Sequence, residues 1–84
     1  MEETSKKQSK VIVFSTPTCP WCVIAKQYLN KKGIEFENKD VSIDHHAADE
    51  MVEKSGQMGV PQLWIDDEIV VGFDQSKINK LLGL

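Results

Sequence analysis

Two cysteines separated by two residues, directly after an apolar run, are the feature that most limits what this chain can fold into. The segment reads Cys19-Pro20-Trp21-Cys22, it follows the apolar residues 11–14, and the chain has no other cysteine. Residues i and i+3 are neighbours on a helical turn, so two thiols at this spacing lie within disulfide range. Because closing so short a loop stabilises a fold very little, the spacing favours a pair that carries electrons over a structural cross-link.

The composition limits the class of protein further. The 84 residues carry a net charge of −3, with 10 basic residues, all lysine, against 13 acidic ones, which argues against nucleic acid as a partner. The polar start has no apolar core of a signal peptide, and no stretch is long enough to cross a membrane. We therefore expect a cytoplasmic monomer with a flexible tail at residues 1–9 and one domain at residues 10–84. In that compartment a CxxC pair is more often redox-active or metal-binding than structural.

The chain around the cysteines predicts a strand that passes into a helix. Residues 10–15 are apolar and largely β-branched at their centre, which favours a buried strand, and Pro17 ends it. Pro20 suits the first helical position, where its missing N–H costs nothing, so Cys19 is the predicted N-cap. Gly33 is the predicted residue after the helix. The stripe expected to face the core is Trp21, Ile24, Ala25, Tyr28 and Leu29.

The middle of the chain predicts a second strand, a second helix and a hairpin. An alternating segment within residues 34–41 is typical of a strand, and Asp44 is the predicted cap of a helix that stops near Gly56. Two short strands at residues 61–65 and 68–71 are joined by only two residues, which predicts a tight antiparallel hairpin. The apolar stripe expected on the second helix is Ala47, Ala48, Met51, Val52 and Ser55.

The end of the chain completes the predicted fold. Asp74 is the predicted cap of a last helix, with Phe73 before the cap packing on Ile78. The first two strands bracket a helix, which implies a parallel pair with a right-handed crossover. The resulting βαβαββα order predicts an α/β fold with one mixed four-stranded sheet and three helices.

The two cysteines are not chemically equivalent, because only a thiolate is a nucleophile and their surroundings differ. Cys19, as N-cap, faces the unpaired N–H groups and the positive end of the helix dipole, which stabilise a negative sulfur. Cys22 lies one turn inside the helix and is shielded. We predict that Cys19 attacks a substrate disulfide and that Cys22 resolves the mixed disulfide. The remaining members of the predicted active-site loop are Thr18, Pro20 and Trp21.

A closed zinc site is the main alternative for a CxxC pair. It needs four ligands, and no second CxxC exists. The other soft candidates are His45 and His46, which point in different directions on a helix. The pattern therefore argues against a metal site.

Two other segments have plain structural interpretations. The Val60-Pro61 dipeptide alone favours a trans bond, because few X–Pro bonds are cis. The run Asp66-Asp67-Glu68 favours a solvated turn over a carboxylate dyad.

The CPWC segment, the Gly59-Val60-Pro61 segment and the element order together resemble the glutaredoxin family of the thioredoxin fold. The resemblance covers roughly residues 10–84. It implies that Pro61 is a cis-proline beside the cysteines and that the backbone of Val60 pairs with the cysteine residue of a substrate. It also implies that Gly72 begins the turn that helps to hold the γ-glutamyl carboxylate of glutathione.

The chain departs from the family's pattern at the glutathione-contacting positions. Thr16 stands where glutathione-using members usually carry a lysine or arginine, so a charge partner for the glycyl carboxylate is missing. Gly59 stands where the family usually has a threonine, and Phe73 stands where it has the second glycine of a Gly-Gly turn. The segment Asp74-Gln75-Ser76 replaces the acidic pattern that usually follows this turn. A Gly-Phe turn is similar to the glutaredoxin-like hydrogen donors of ribonucleotide reductase, which are reduced by thioredoxin reductase.

The resemblance implies a thiol–disulfide oxidoreductase that reduces disulfide-containing proteins without a tightly bound cofactor. Its reductant would be glutathione or a thioredoxin-reductase-like flavoprotein, and Thr16 and Phe73 favour the flavoprotein. An alternative within the family is a glutathione-dependent iron–sulfur cluster carrier. The proline after Cys19 and the weakened glutathione site disfavour it. A non-catalytic binding module is disfavoured by the intact CxxC.

Overall fold

The structure, a computed structural model, describes residues 10–84, so the predicted tail at residues 1–9 lies outside the described residues. Seven elements follow one another in the predicted βαβαββα order. Within residues 10–84, no helix has the length and apolar character needed to cross a membrane. The strands are β1 (Val11–Ser15), β2 (Glu37–Asp40), β3 (Gln62–Ile65) and β4 (Glu68–Val71), and the helices are α1 (Pro20–Lys31), α2 (His45–Ser55) and α3 (Gln75–Leu82).

The four strands form one mixed sheet in the spatial order β2-β1-β3-β4, which confirms the predicted sheet. β1 pairs in parallel with β2 and antiparallel with β3, and β3 pairs antiparallel with β4. The parallel pair needs a long crossover, which α1 supplies. The β3–β4 pair needs only the tight turn at Asp66-Asp67, where Asp66 has a φ of 55°.

The sheet separates two apolar clusters, one on each face. Alternate residues of a strand point to opposite faces, so Val13 of β1 belongs to one cluster and Phe14 to the other. β1 is therefore packed on both of its faces. The larger cluster, covered by α1 and α3, contains Val11, Val13, Ala25, Leu29, Leu63, Ile65, Val70 and Ile78. The smaller cluster, covered by α2, contains Phe14, Ala47, Met51 and Trp64.

Each helix begins at a side chain that accepts a hydrogen bond from the helix's own first turn. The caps are Cys19 for α1, Asp44 for α2 and Asp74 for α3, as predicted. α2 is followed by Gly56 in the left-handed conformation, with a φ of 72° that glycine adopts at little cost. Local sequence signals therefore fix where the helices begin.

The buried face of α1 differs from the predicted stripe. Cys22, Ala25 and Leu29 are fully buried, whereas Trp21 is 58% exposed and Ile24 is 40% exposed. The apolar residues of α1 extend over more than one face of the helix. The face that packs against the sheet is displaced by one residue from the predicted stripe. The displacement buries Cys22 and leaves Trp21 at the surface beside the cysteines.

The second strand and the second helix show smaller differences. β2 begins only at Glu37, because Ile34 and Phe36 precede it and pack against the larger cluster. Met51 of α2 is buried as expected, but Val52 is 37% exposed. The contact with the sheet is thus narrower than the apolar stripe of α2.

Three chain segments meet at one edge of the sheet because of the strand directions. β1 and β4 end at this edge, and β3 starts from it. The CxxC loop after β1, the Val60-Pro61 segment before β3 and the Gly72-Phe73 turn after β4 are thereby brought together.

Candidate active site

Cys19 occupies the N-cap of α1, and its sulfur is part of the cap. The N–H of Cys22 donates to the Cys19 Sγ at 3.2 Å. The first helical residue is Pro20, which has no N–H to donate. Cys19 is partly exposed, so its sulfur can be reached from solvent while a backbone N–H points at it. This arrangement stabilises negative charge on the sulfur when the thiolate forms.

Cys22 lies one turn further along α1 and is completely buried. Burial raises the pKa of the Cys22 thiol to about 11, and the side-chain hydrogen bond with Cys19 acts in the same direction. A backbone hydrogen bond from Thr16 and the positive charge of Lys26 oppose the rise. The buried thiol is therefore held protonated near neutral pH, next to an accessible sulfur.

The Val60-Pro61 bond is cis, as the resemblance implied and contrary to the expectation from the dipeptide alone. Pro61 is buried, and Val60 is partly exposed. The Sγ of Cys19 donates to the carbonyl oxygen of Val60 at 3.7 Å. The backbone of Val60 therefore lies within reach of anything bonded to Cys19.

A groove of about 270 Å³ runs beside the cysteines. The rings of Trp21 and Phe73 are stacked along it, with centroids 6.2 Å apart and an interplanar angle of 27°. Phe73 also meets the ring of Tyr28 edge-on, and it packs against the larger apolar cluster, which contains Ile78. The groove is lined by Trp21, Val60, Pro61, Gly72 and Phe73, none of which carries a charge.

The other predicted site residues lie at the margin of this groove. The carbonyl of Thr16 accepts the N–H of Cys19 at 3.4 Å, and Thr18 and Pro20 are exposed in the same loop. Asp74 caps α3, because its Oδ1 accepts the N–H of Lys77 at 3.2 Å. Neither Thr16 nor Asp74 is among the residues that line the groove.

Two residues of the site were not found from the sequence. Lys26 is four residues after Cys22, one helical turn away, and this spacing is the signal that could have shown it. Gln62 is a fully buried amide that bonds to the segment before Val60. A glutamine at the start of an otherwise apolar strand was the available signal.

The alternative of a metal site gains no support from the part of the chain that the structure describes. Residues 10–84 contain no group of three histidine, cysteine, aspartate or glutamate side chains that could hold a metal ion. His45 and His46 are exposed in the first turn of α2.

The fold and the site together define a dithiol protein: a mixed sheet with an accessible N-cap cysteine, a buried second cysteine and a cis-proline beside them. Comparison with known proteins gives the family. The model of the glutaredoxin family matches residues 11–70. The chain therefore belongs to the glutaredoxin family.

Individual relatives agree with this assignment. The chain is 46% identical over 70 residues to a glutaredoxin-like 8.6 kDa protein of Clostridium pasteurianum, with 83% of this chain and 93% of that protein covered. It is 38% identical over 68 residues to glutaredoxin 3 of Escherichia coli, with 79% and 80% covered. The crystal structure of the thioredoxin-like protein BC3987 superimposes with a TM-score of 0.83 at 34% identity, covering 87% of this chain and 100% of that one. Membership of the family makes thiol–disulfide exchange the general activity of this chain.

Proposed function

We propose that this chain reduces protein disulfides through Cys19 and Cys22 and is itself reduced by a thioredoxin-reductase-like flavoprotein. The observation that carries the proposal is the asymmetry of the two thiols. Cys19 is accessible and receives an N–H at 3.2 Å, while Cys22 is buried directly behind it. An accessible nucleophile and a shielded second thiol are the two parts that stepwise disulfide reduction needs.

The reaction has two exchanges. In the first, the Cys19 thiolate bonds to one sulfur of a substrate disulfide, and the other sulfur leaves as a thiolate with the electron pair of the broken bond. In the second, the Cys22 thiolate bonds to the Cys19 Sγ and displaces the first substrate sulfur. The substrate gains two electrons, and the protein is left with a Cys19–Cys22 disulfide.

The raised pKa of Cys22 is compatible with its role in the second exchange. Burial raises this pKa most, and the side-chain hydrogen bond and the negative charge of Cys19 raise it further. Both are lost once the Cys19 sulfur is bonded to the substrate, whereas the charge of Lys26 continues to favour the Cys22 thiolate. Cys22 therefore becomes easier to deprotonate at the step that uses it.

The choice of reductant rests on the residues around the groove. Glutathione carries two carboxylates and binds best where cationic side chains or free backbone N–H groups meet them. Position 16 is a threonine and not a cation, and the groove lining within residues 10–84 is uncharged. Phe73 adds an aromatic ring beside Trp21 where the family usually has a glycine. These features support the flavoprotein over glutathione, and they equally disfavour a cluster carrier that needs glutathione as a ligand.

The proposal has three further parts, which rest on the sequence and on the family resemblance. The protein acts as a monomer, in the cytoplasm, and without a tightly bound cofactor. The electrons come from the flavoprotein, so the dithiol is the only redox group that the protein has to supply.

The test is reduction of the oxidised protein by two donor systems in parallel. One contains glutathione, glutathione reductase and NADPH, and the other contains thioredoxin reductase and NADPH. We expect NADPH consumption in the system with thioredoxin reductase, and slow or no turnover in the system with glutathione. Fast turnover with glutathione alone would overturn the choice of reductant, and no turnover with either would overturn the activity.

A further inference from the structure

We propose that Gln62 is a positioning residue for peptide substrates: its buried amide fixes the segment that presents the backbone of Val60 to Cys19. The inference rests on the proposed function, because it concerns how a substrate is held at Cys19. Gln62 acts through Val60 and does not itself touch the reacting sulfur.

The first observation is the burial of a polar side chain in an apolar environment. Gln62 is 0% exposed, and it opens a strand whose other members, Leu63, Trp64 and Ile65, are all buried and apolar. It pairs across the sheet with Phe14, on the face that α2 covers. Burial of an amide is unfavourable unless its polar atoms are bonded, so the partners of this amide show what it does there.

The second observation is where the amide donates. Its Nε2 gives both hydrogens to the chain just before Val60: one to the carbonyl of Gln57 at 3.0 Å and one to the carbonyl of Gly59 at 2.9 Å. The Oε1 is buried, and within residues 10–84 it has no hydrogen-bond partner. The amide orientation is determined by chemistry, because two carbonyl oxygens can only be met by the NH₂ end. One side chain thus holds two of the four residues between α2 and Val60.

The third observation is that the two bonded residues, Gln57 and Gly59, are exposed and lie outside any helix or strand. A surface segment of this kind depends on side-chain bonds for a fixed position. The same segment is tied at its other end by Ser55, whose Oγ accepts the N–H of Gln57 at 3.0 Å. Gln62 and Ser55 therefore hold the irregular segment from two sides.

The consequence concerns the substrate's main chain. A peptide bonded to Cys19 can pair with the backbone of Val60, as in strand addition, only if that backbone is held at the right distance. A small disulfide without a peptide backbone gains nothing from this contact. Release of the segment should therefore slow the attack of Cys19 on a peptide disulfide and leave its attack on a small disulfide unchanged.

The experiment compares two substrates in the reduced full chain. One is bis(2-hydroxyethyl) disulfide, and the other is the symmetric disulfide of a short, blocked, cysteine-containing peptide. The rate constant for release of the first thiol is measured for each. Gln62→Met keeps the length of the side chain and removes both donors, and Ser55→Ala loosens the same segment without changing the strand. Val11→Ala, in the larger cluster at the far end of β1, controls for loss of stability.

We expect Gln62→Met to lower the peptide rate about tenfold relative to the small-disulfide rate, the factor that the loss of about one backbone hydrogen bond to the substrate would cause. Ser55→Ala should shift the ratio in the same direction by a smaller factor, and Val11→Ala should leave it unchanged. An unchanged ratio in both loop variants would overturn the inference, and so would an equal fall of both rates. If the wild-type chain reduces neither disulfide, the proposed function fails instead, so the two failures are distinguishable.

Discussion

The Cys19 Sγ lies 3.7 Å from the carbonyl oxygen of Val60, although 41 positions of the chain separate the two residues. The contact arises because β1 ends, and β3 begins, at the same edge of the sheet. It joins a reactive sulfur to a backbone group that can pair with a substrate. The sheet topology, and not the local sequence, therefore assembles the two halves of this site.

The stability of the reduced protein should fall as the pH rises through the titration of Cys22. The folded-state pKa of this thiol is about 11, above its ordinary value of 9.0. The folded state thus holds the proton more tightly, and the stabilisation is fully present below pH 9.0 and lost as the pH rises to about 11. The rise in pKa corresponds to a loss on the order of 2–3 kcal/mol in the free energy of unfolding.

Urea denaturation under reducing conditions, at a series of pH values across this window, measures the effect. Cys22→Ser is the matched control, because it removes the titrating thiol and leaves every other ionisable side chain in place. The wild-type curve should fall more steeply than that of Cys22→Ser. Parallel curves would contradict the assigned pKa.

Thr16→Lys should improve reduction by glutathione. The new ammonium lies three residues before Cys19, where it can pair with the glycyl carboxylate of glutathione. An exposed ion pair of this kind contributes up to about 1 kcal/mol, or roughly fivefold in rate. Thr16→Gln supplies a long neutral side chain as the control. Turnover with glutathione and glutathione reductase should rise only in the lysine variant. Turnover with thioredoxin reductase should stay the same in all three proteins. No gain with glutathione would show that the charge at this position does not limit glutathione use.

We expect Asp74 to contribute mainly to stability, as the N-cap of α3. Its charge should contribute little to turnover. Asp74→Ala removes the acceptor of the Lys77 N–H, at a cost of about 1 kcal/mol in the free energy of unfolding. Asp74→Asn keeps an acceptor oxygen and should restore most of that stability. Thermal or urea unfolding of the three proteins measures it, with turnover recorded alongside. A large loss of turnover in Asp74→Asn, with stability intact, would instead make the charge of Asp74 part of the site.

The parts of the fold that depend on local chemistry could be predicted from the sequence. Cys19, Asp44 and Asp74 were identifiable as caps because a side chain that bonds to its own helix needs only its neighbours in sequence. The hairpin at Asp66-Asp67 was predictable for the same reason, since two strands joined by two residues have few geometries available. These signals suffice for the element order and the mixed sheet.

The parts that depend on tertiary packing could not be predicted. Which face of α1 is buried depends on the sheet beneath it, so the exposure of Trp21 and the burial of Cys22 emerged only in three dimensions. The bonds of Gln62 to residues 57 and 59 depend on how an irregular segment folds back over β3. The cis bond before Pro61 came from the family resemblance, because the dipeptide itself favours trans.

The division of roles between the two cysteines is the central claim, and trapping the mixed disulfide tests it most directly. Reduced Cys22→Ser is mixed with a peptide disulfide, and its mass and tryptic map are recorded without reductant. We predict an adduct of one peptide bonded to Cys19 that persists because no second thiol displaces it, whereas wild type passes to the internal disulfide and Cys19→Ser forms no adduct. A Cys19→Ser protein that still reduces the peptide disulfide at the wild-type rate would contradict the assignment.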